Sequence, residues 1–259
     1  MQSSLCVERD VDQRLATVTI ARPPHNYFDT DLIKAIADAY ESIEEDATCR
    51  AIVLRSEGRN FCAGADFSQQ SSLGTIVSEE GFAPLYQQAA RLFKGTKPVV
   101  AAVQGSAIGG GLGLALTADF RCATPTSRFV ANFALLGIHP GFALSVTLSN
   151  IVGEQKALEL FYTGRAVMGT EALSLGLCDR LVSESDLLAE AYQLAHLIAS
   201  SAPLAIRSIR ATMRGALFDR AIAAMERENQ EQRRLGATSD FHEGVLAARE
   251  RRTPNFTGE

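Results

Sequence analysis

The chain has 259 residues, 46% of them hydrophobic and 21% charged, with a formal net charge of -5. That length holds one large domain of ordinary globular composition. The acidic balance argues against a nucleic-acid partner, and no run approaches the roughly twenty apolar residues of a membrane span. The five cysteines, at positions 6, 49, 62, 122 and 178, form no C-x-x-C pair. They predict reduced, mostly buried thiols in a cytoplasmic setting, and the opening MQSSLCVERDVDQR has no apolar signal-peptide core.

In chain order, 15–20 alternates as a strand that Pro23-Pro24 ends. A helix follows over 30–43, with Leu32, Ile36, Tyr40 and Ile43 at helical spacing and Asp29 or Thr30 as its cap. Ile52, Val53 and Leu54 form the next strand. The polar stretch SQQSSLGTIVSEEG over 68–81 reads as a mobile loop beside a site. Over 82–94 a helical pattern returns through Phe82, Leu85, Ala89 and Phe93, with Tyr86 off that stripe. Val99, Val100 and Val103 make a strand, Gly109 to Ala118 a small-residue helix, and the unit repeats near Phe129. This predicts a layered α/β core. Helices are expected over 144–151, 154–162, 170–175, 187–200, 203–213, 218–235 and 240–251. The division drawn is a core at 1–195 and a helical region at 196–259. Arginines gather in the last sixty residues, but acids nearly balance them, which predicts ion-paired helix faces rather than a basic patch.

The stretch VVAAVQGSAIGGGLGLALTAD, 99–119, joins strand to helix with a triple glycine at the helix mouth. Unpaired N–H groups and a partial positive charge gather there, and glycines let a ligand approach them, so a negatively charged oxygen suits the place. The alternative is that the glycines serve close packing of helix on strand. A dinucleotide fingerprint fails because Leu114 or Leu116 stands where its third glycine belongs, and no Gly-Lys-Ser/Thr phosphate loop occurs. A second glycine-marked strand exit, Phe61-Cys62-Ala63-Gly64-Ala65-Asp66, favours the functional reading.

With its F-x-A-G-A-D turn and its G-x-x-x-G-G-G segment from Gly105, the chain resembles the crotonase (enoyl-CoA hydratase/isomerase) superfamily. The resemblance spans nearly the whole chain. It includes Ala21-Arg22-Pro23-Pro24 with Asn26, the stretch TKPVVA from Thr96, Gly137-Ile138-His139-Pro140-Gly141, Thr163-Gly164-Arg165, ALSLGL from Ala172, and RRTPNFTG from Arg251. It implies an α/β spiral of repeated ββα units whose C-terminal helices build homotrimers or dimers of trimers and help cover an acyl pocket.

The resemblance also implies an acyl-CoA thioester substrate, with CoA as part of the substrate and no separate cofactor. The N–H groups of Ala65 and Gly110 would then form an oxyanion hole for the thioester carbonyl. Ala63, Asp66 and Phe67 would line the CoA path, and Arg22 would pair with phosphate unless it is an ordinary surface arginine. Ile108, Phe133, Leu136, Phe28 and Phe142 suit an apolar acyl pocket. Asp66 is more simply read as fixing its loop through backbone N–H groups.

The acid and base depart from the family pattern. The two hydratase glutamates fall on Gly113 and Phe133, and the isomerase aspartate on Gly141. Ordinary hydration lacks its proton carriers, which leaves open isomerisation, decarboxylation, hydrolysis or hydration by an unusual base. His139 and Tyr86 are the candidate acid/base groups, against a loop histidine bonded to backbone and a tyrosine that only packs. Asn132 is a candidate to orient a substrate oxygen, against a capped strand end. No H-E-x-x-H or G-x-S-x-G appears, so no metal and no serine nucleophile are expected. The alternative function is a non-catalytic acyl-CoA binding scaffold.

Overall fold

A computed structural model describes residues 4–65 and 82–259. Asp66, Phe67 and the loop expected at 68–81 lie outside the described residues. Strands β1 (Leu5–Asp10), β2 (Leu15–Ile20), β3 (Ala51–Ser56), β4 (Val99–Val103), β6 (Phe120–Ala123) and β9 (Arg180–Leu181) form one sheet in the order β1-β2-β3-β4-β6-β9. All its pairings are parallel except the antiparallel β1–β2. A smaller sheet joins β5 (Ser106–Ile108), β7 (Arg128–Val130) and β8 (Ala166–Met168). The mixed α/β architecture is the one the resemblance implied. β1 was not foreseen, because most of its residues are exposed and carry no apolar alternation.

The helices are α1 (Thr30–Glu45), α2 (Pro84–Arg91), α3 (Gly110–Thr117), α4 (Leu144–Val152), α5 (Glu154–Thr163), α6 (Gly169–Ser174), α7 (Leu187–Ala199), α8 (Pro203–Gly236) and α9 (Ser239–Glu250). Asp29 caps α1 by accepting the Leu32 N–H at 2.8 Å, and Leu32, Ile36, Tyr40 and Ile43 are all buried, as their spacing requires. The central strands are covered on both faces, as parallel sheets usually are. Val53, Val100, Ala102 and Cys122 pack against Leu187, Ala191, Leu194 and Ala195 of α7, while Ile52, Leu54, Ala101 and Val103 face the main core. Cys49, Cys62, Cys122 and Cys178 are buried thiols, and Cys6 is exposed. Among the described residues, no helix is long and apolar enough to cross a membrane.

Two helices were expected over 203–213 and 218–235, but a single 34-residue helix spans both. Gly215 sits inside it with open space where a side chain would be. An interior glycine costs only about 1 kcal/mol. The packing of Leu217, Phe218 and Ala221 on the core offsets that. The division expected at 195/196 falls within α7, and Ala221, Met225, Phe241 and Val245 of the last two helices belong to the main core.

Ion pairs tie α8 to the sheet. The Asp119 carboxylate, next to β6, takes Arg210 Nε at 3.0 Å, the Arg214 guanidinium, and the Val99 N–H at 2.8 Å. Asp119 lies outside the last sixty residues; the surface pairing expected within them is between Arg234 and Glu231 at 2.8 Å and between Arg252 and Glu243 at 2.6 Å.

The C-terminal tail is bound back onto α9. Asp240 accepts the Thr257 and Gly258 N–H groups at 2.7 and 2.9 Å, and Glu243 accepts Asn255 N–H at 2.8 Å and Arg252 Nη1 at 2.6 Å. The Arg252 guanidinium, helped by the Asn255 amide, holds the Glu243 carboxyl down to about 2, from an ordinary 4.5. Because the folded value is the depressed one, this contribution is complete above about pH 4.5 and fades as pH falls toward 2. Acidification through that window is expected to release the tail, measured as faster amide exchange at Asn255 than at Phe241 inside α9.

Candidate active site

The turn after β3 is sewn between two neighbours. Ala63 N–H donates to His25 O at 2.9 Å, Phe28 N–H to Gly64 O at 3.0 Å, and Ile108 N–H to Cys62 O at 3.0 Å. Single parallel bridges pair Phe28 with Ala65 and Cys62 with Ala107. Gly64 has φ +85°, and a Cβ there would lie 2.7 Å from Ile108 O and 3.8 Å from Gly110 N. Only glycine meets both demands. The Ala65 turn is thereby set beside the mouth of α3, where Gly110 opens the helix and its N–H has no acceptor within it.

Two phenyl rings cover the glycines of that helix. A Cβ on Gly110 would lie 2.4 Å from Phe28 Cζ, and one on Gly113 would lie 2.6 Å from Phe142 Cβ. The rings touch each other, with centroids 5.7 Å apart. Phe142 thus fills the volume that a side chain at Gly113 would need, and Phe133 lines the site beside it. At Gly141 a Cβ would lie 2.0 Å from the Tyr86 hydroxyl. That hydroxyl occupies the space that a side chain at Gly141 would need.

The Tyr86 O–H donates to Gln232 Oε1 at 2.6 Å, and Gln232 Nε2 donates to His139 O at 2.9 Å. Burial pushes the phenol far above its ordinary range, and the Glu228 charge adds to this, so Tyr86 is neutral at physiological pH. Glu228 is 1% exposed and accepts Ala143 N–H at 2.8 Å, Ser145 N–H at 3.0 Å and Ser145 Oγ–H at 2.5 Å. Burial raises its carboxyl above the usual range, and those donors pull it back.

The site surrounds a cavity of about 410 Å³, the size of a small-molecule pocket. Of the residues singled out from sequence, Ala63, Ala65, Tyr86, Ile108, Gly110, Asn132, Phe133 and Leu136 line it, with Phe28 and Phe142. The Asn132 oxygen stands 3.6 Å from where a Gly109 Cβ would be. Two do not line it. Arg22 pairs with Asp29 at 2.7 Å, and His139 bonds its own loop, Nδ1 to Pro140 O at 2.8 Å. Tyr86 is 2% exposed and fully part of the packed face of α2. Among the described lining residues there is no carboxylate and no histidine, and Arg249 of α9 carries the one formal charge. Gln232, Glu228 and Arg249 were not singled out from sequence. Each lies in a charge-rich helix where no local pattern sets it apart.

The chain matches the family model of enoyl-CoA hydratase/isomerase over residues 10–259. It is 34% identical over 259 residues to a probable enoyl-CoA hydratase of Bacillus subtilis, covering 96% of this chain and 97% of that one. It is 30% identical over 258 residues to the 1,2-epoxyphenylacetyl-CoA isomerase of Escherichia coli, covering 96% and 97%. The crystal structure of an enoyl-CoA hydratase/isomerase from Pseudoalteromonas atlantica superposes with a TM-score of 0.87 at 33% identity, covering 98% of this chain and 100% of that one. The chain belongs to the enoyl-CoA hydratase/isomerase family.

Proposed function

We propose that the protein forms a thioester enolate from an acyl-CoA, holds its oxygen between the N–H groups of Ala65 and Gly110, and protonates it from Tyr86 without adding water. The observation that carries this reading is the make-up of the cavity wall. Ala65 and Gly110 share that wall with a neutral buried phenol, and the described lining holds aromatic rings and no carboxylate. Two fixed donors in a dry site stabilise charge that develops on the carbonyl oxygen. Isomerisation must first remove an α-proton, and the described wall offers no base for it. Loss of carbon dioxide from a 2-carboxyacyl-CoA needs none. The bond from the α-carbon to the carboxyl breaks, its electron pair becomes the enolate, and the Tyr86 proton goes to the α-carbon, to be replaced from solvent. The apolar wall favours this step by desolvating the departing carboxylate. Arg249, exposed at the cavity edge, supplies a cation for the phosphates of CoA.

The test gives the protein malonyl-CoA and methylmalonyl-CoA, a 3-enoyl-CoA, and crotonyl-CoA in parallel, following carbon dioxide release and gain or loss of conjugated thioester absorbance. Decarboxylation with little hydration is expected. Tyr86→Phe is expected to lower kcat about 10²–10⁴-fold, the worth of a placed general acid, with KM little changed. Efficient crotonyl-CoA hydration would overturn the reading. The second reading, a binding scaffold, is favoured by one observation: the Tyr86 proton is already engaged by Gln232. Tight acyl-CoA binding with no turnover in any arm would select it. The exposed Leu197, Leu204, Ile209 and Met213 support self-association of the trimeric kind.

A further inference from the structure

Phe142 and Ala143 are consecutive non-glycine residues with φ +62° and +57°, in the left-handed region that L side chains rarely adopt. Such a turn persists only where its surroundings over-determine it. Here the surroundings come from α8. Ala143 is the residue preceding α4, and no side chain of its own segment caps that helix. Instead Glu228, 83 to 85 residues distant, accepts the Ala143 and Ser145 N–H groups and the Ser145 hydroxyl. Its carboxylate does for α4 what an N-cap does, from another helix. On the near side the Tyr86 hydroxyl and Gln232 fill the space beside Gly141. The turn so held delivers the Phe142 ring onto Gly113 and against Phe28.

We infer that Glu228 is a positioning residue: by clamping the left-handed Phe142–Ala143 turn it keeps the Phe142 ring over the Gly113 face of the site and water away from it. The consequence for chemistry rests on the thioester reading above, whereas the placement of the ring does not. The experiment therefore has two arms. In the first, glycine-labelled protein is compared by NMR as wild type, Phe142→Leu, Glu228→Ala and Glu228→Gln. Loss of the phenyl ring-current shift at Gly113 marks departure of the ring. Glu228→Ala is expected to move the Gly113 signal as Phe142→Leu does, and Glu228→Gln, which keeps one acceptor oxygen, to move it part of the way. A general loss of stability would not single out that glycine. Should Glu228→Ala not fold, Ser145→Ala, which removes one of the three donors, is expected to shift the same signal by a smaller amount.

In the second arm, acyl-CoA turnover is run in oxygen-18 water. Water-derived oxygen in the products, relative to acyl-CoA product without it, is expected to rise about tenfold in both Phe142→Leu and Glu228→Ala, equivalent to about 1.4 kcal/mol. A Gly113 signal that moves in Phe142→Leu but stays in Glu228→Ala would refute the clamp. If the signal moves in both while the oxygen ratio does not change, the ring is no barrier to water and the inference fails. A wild type that binds acyl-CoA and turns over none would instead end the enzyme reading, and the NMR arm would still decide the role of Glu228.

Discussion

Substituting proline for Gly110, in a chain whose Phe28 has been trimmed to leucine, is expected to lower kcat about 10²–10³-fold, or about 3–4 kcal/mol in the barrier. The paired change is needed because any Cβ at 110 meets the Phe28 ring at 2.4 Å. Phe28→Leu with Gly110→Ala is the control, since it adds the same Cβ and keeps the N–H. Proline is tolerated at the first position of a helix, where the N–H has no helical acceptor anyway. The fold is therefore expected to survive, with acyl-CoA binding nearly unchanged, while the donor proposed for the developing oxyanion disappears. Equal turnover in the proline and alanine variants would remove Gly110 from the mechanism.

The largest expected effect on stability belongs to a residue outside the site. Asp119→Ala leaves the guanidinium groups of Arg210 and Arg214, whose side chains are 10% and 20% exposed, without their shared carboxylate. Breaking such a pair from one side is expected to cost about 3 kcal/mol, the lower end of the usual range because Arg214 keeps some water. Denaturant unfolding measures it. Removing both guanidinium groups as well, in the triple change Asp119→Ala, Arg210→Met, Arg214→Met, is expected to recover much of the loss but not all, since their bonds to Gly95 O and Thr117 O go with them. No recovery would mean that the carboxylate acts chiefly through the Val99 amide it accepts.

How much of this was legible in the sequence follows from how local each signal is. The α1 helix was, because its cap and buried stripe lie within sixteen residues of one another. So were the two glycine turns, since positive φ and close approach leave a residue-type mark on the chain. Tyr86 was harder: one stripe of α2 pointed inward, but that helix packs against both α1 and α8, which buries the adjacent position as well. His139 was placed on the right loop, but nothing local says that its ring bonds Pro140 O and does not line the cavity. Glu228 and Gln232 were invisible. Their partners lie 83 to 146 residues away, and in a run of glutamates, glutamines and arginines they look like solvated surface. What covers Gly113 could not be read, since Phe142 reaches it only through a turn that tertiary contacts impose.

One helix carries both kinds of anchor. Near its start Arg210 and Arg214 grip the sheet through Asp119, and further along Glu228 and Gln232 grip the Phe142 turn and Tyr86. Between Arg214 and Glu228 lie about four helical turns, and inserting or deleting a single residue there would rotate everything beyond by about 100°. The arginines would keep their hold while Glu228 swung off its amides. The interval between them therefore has a fixed length, and comparable chains are expected to vary freely in residue type along its outer side while admitting no insertion or deletion within it.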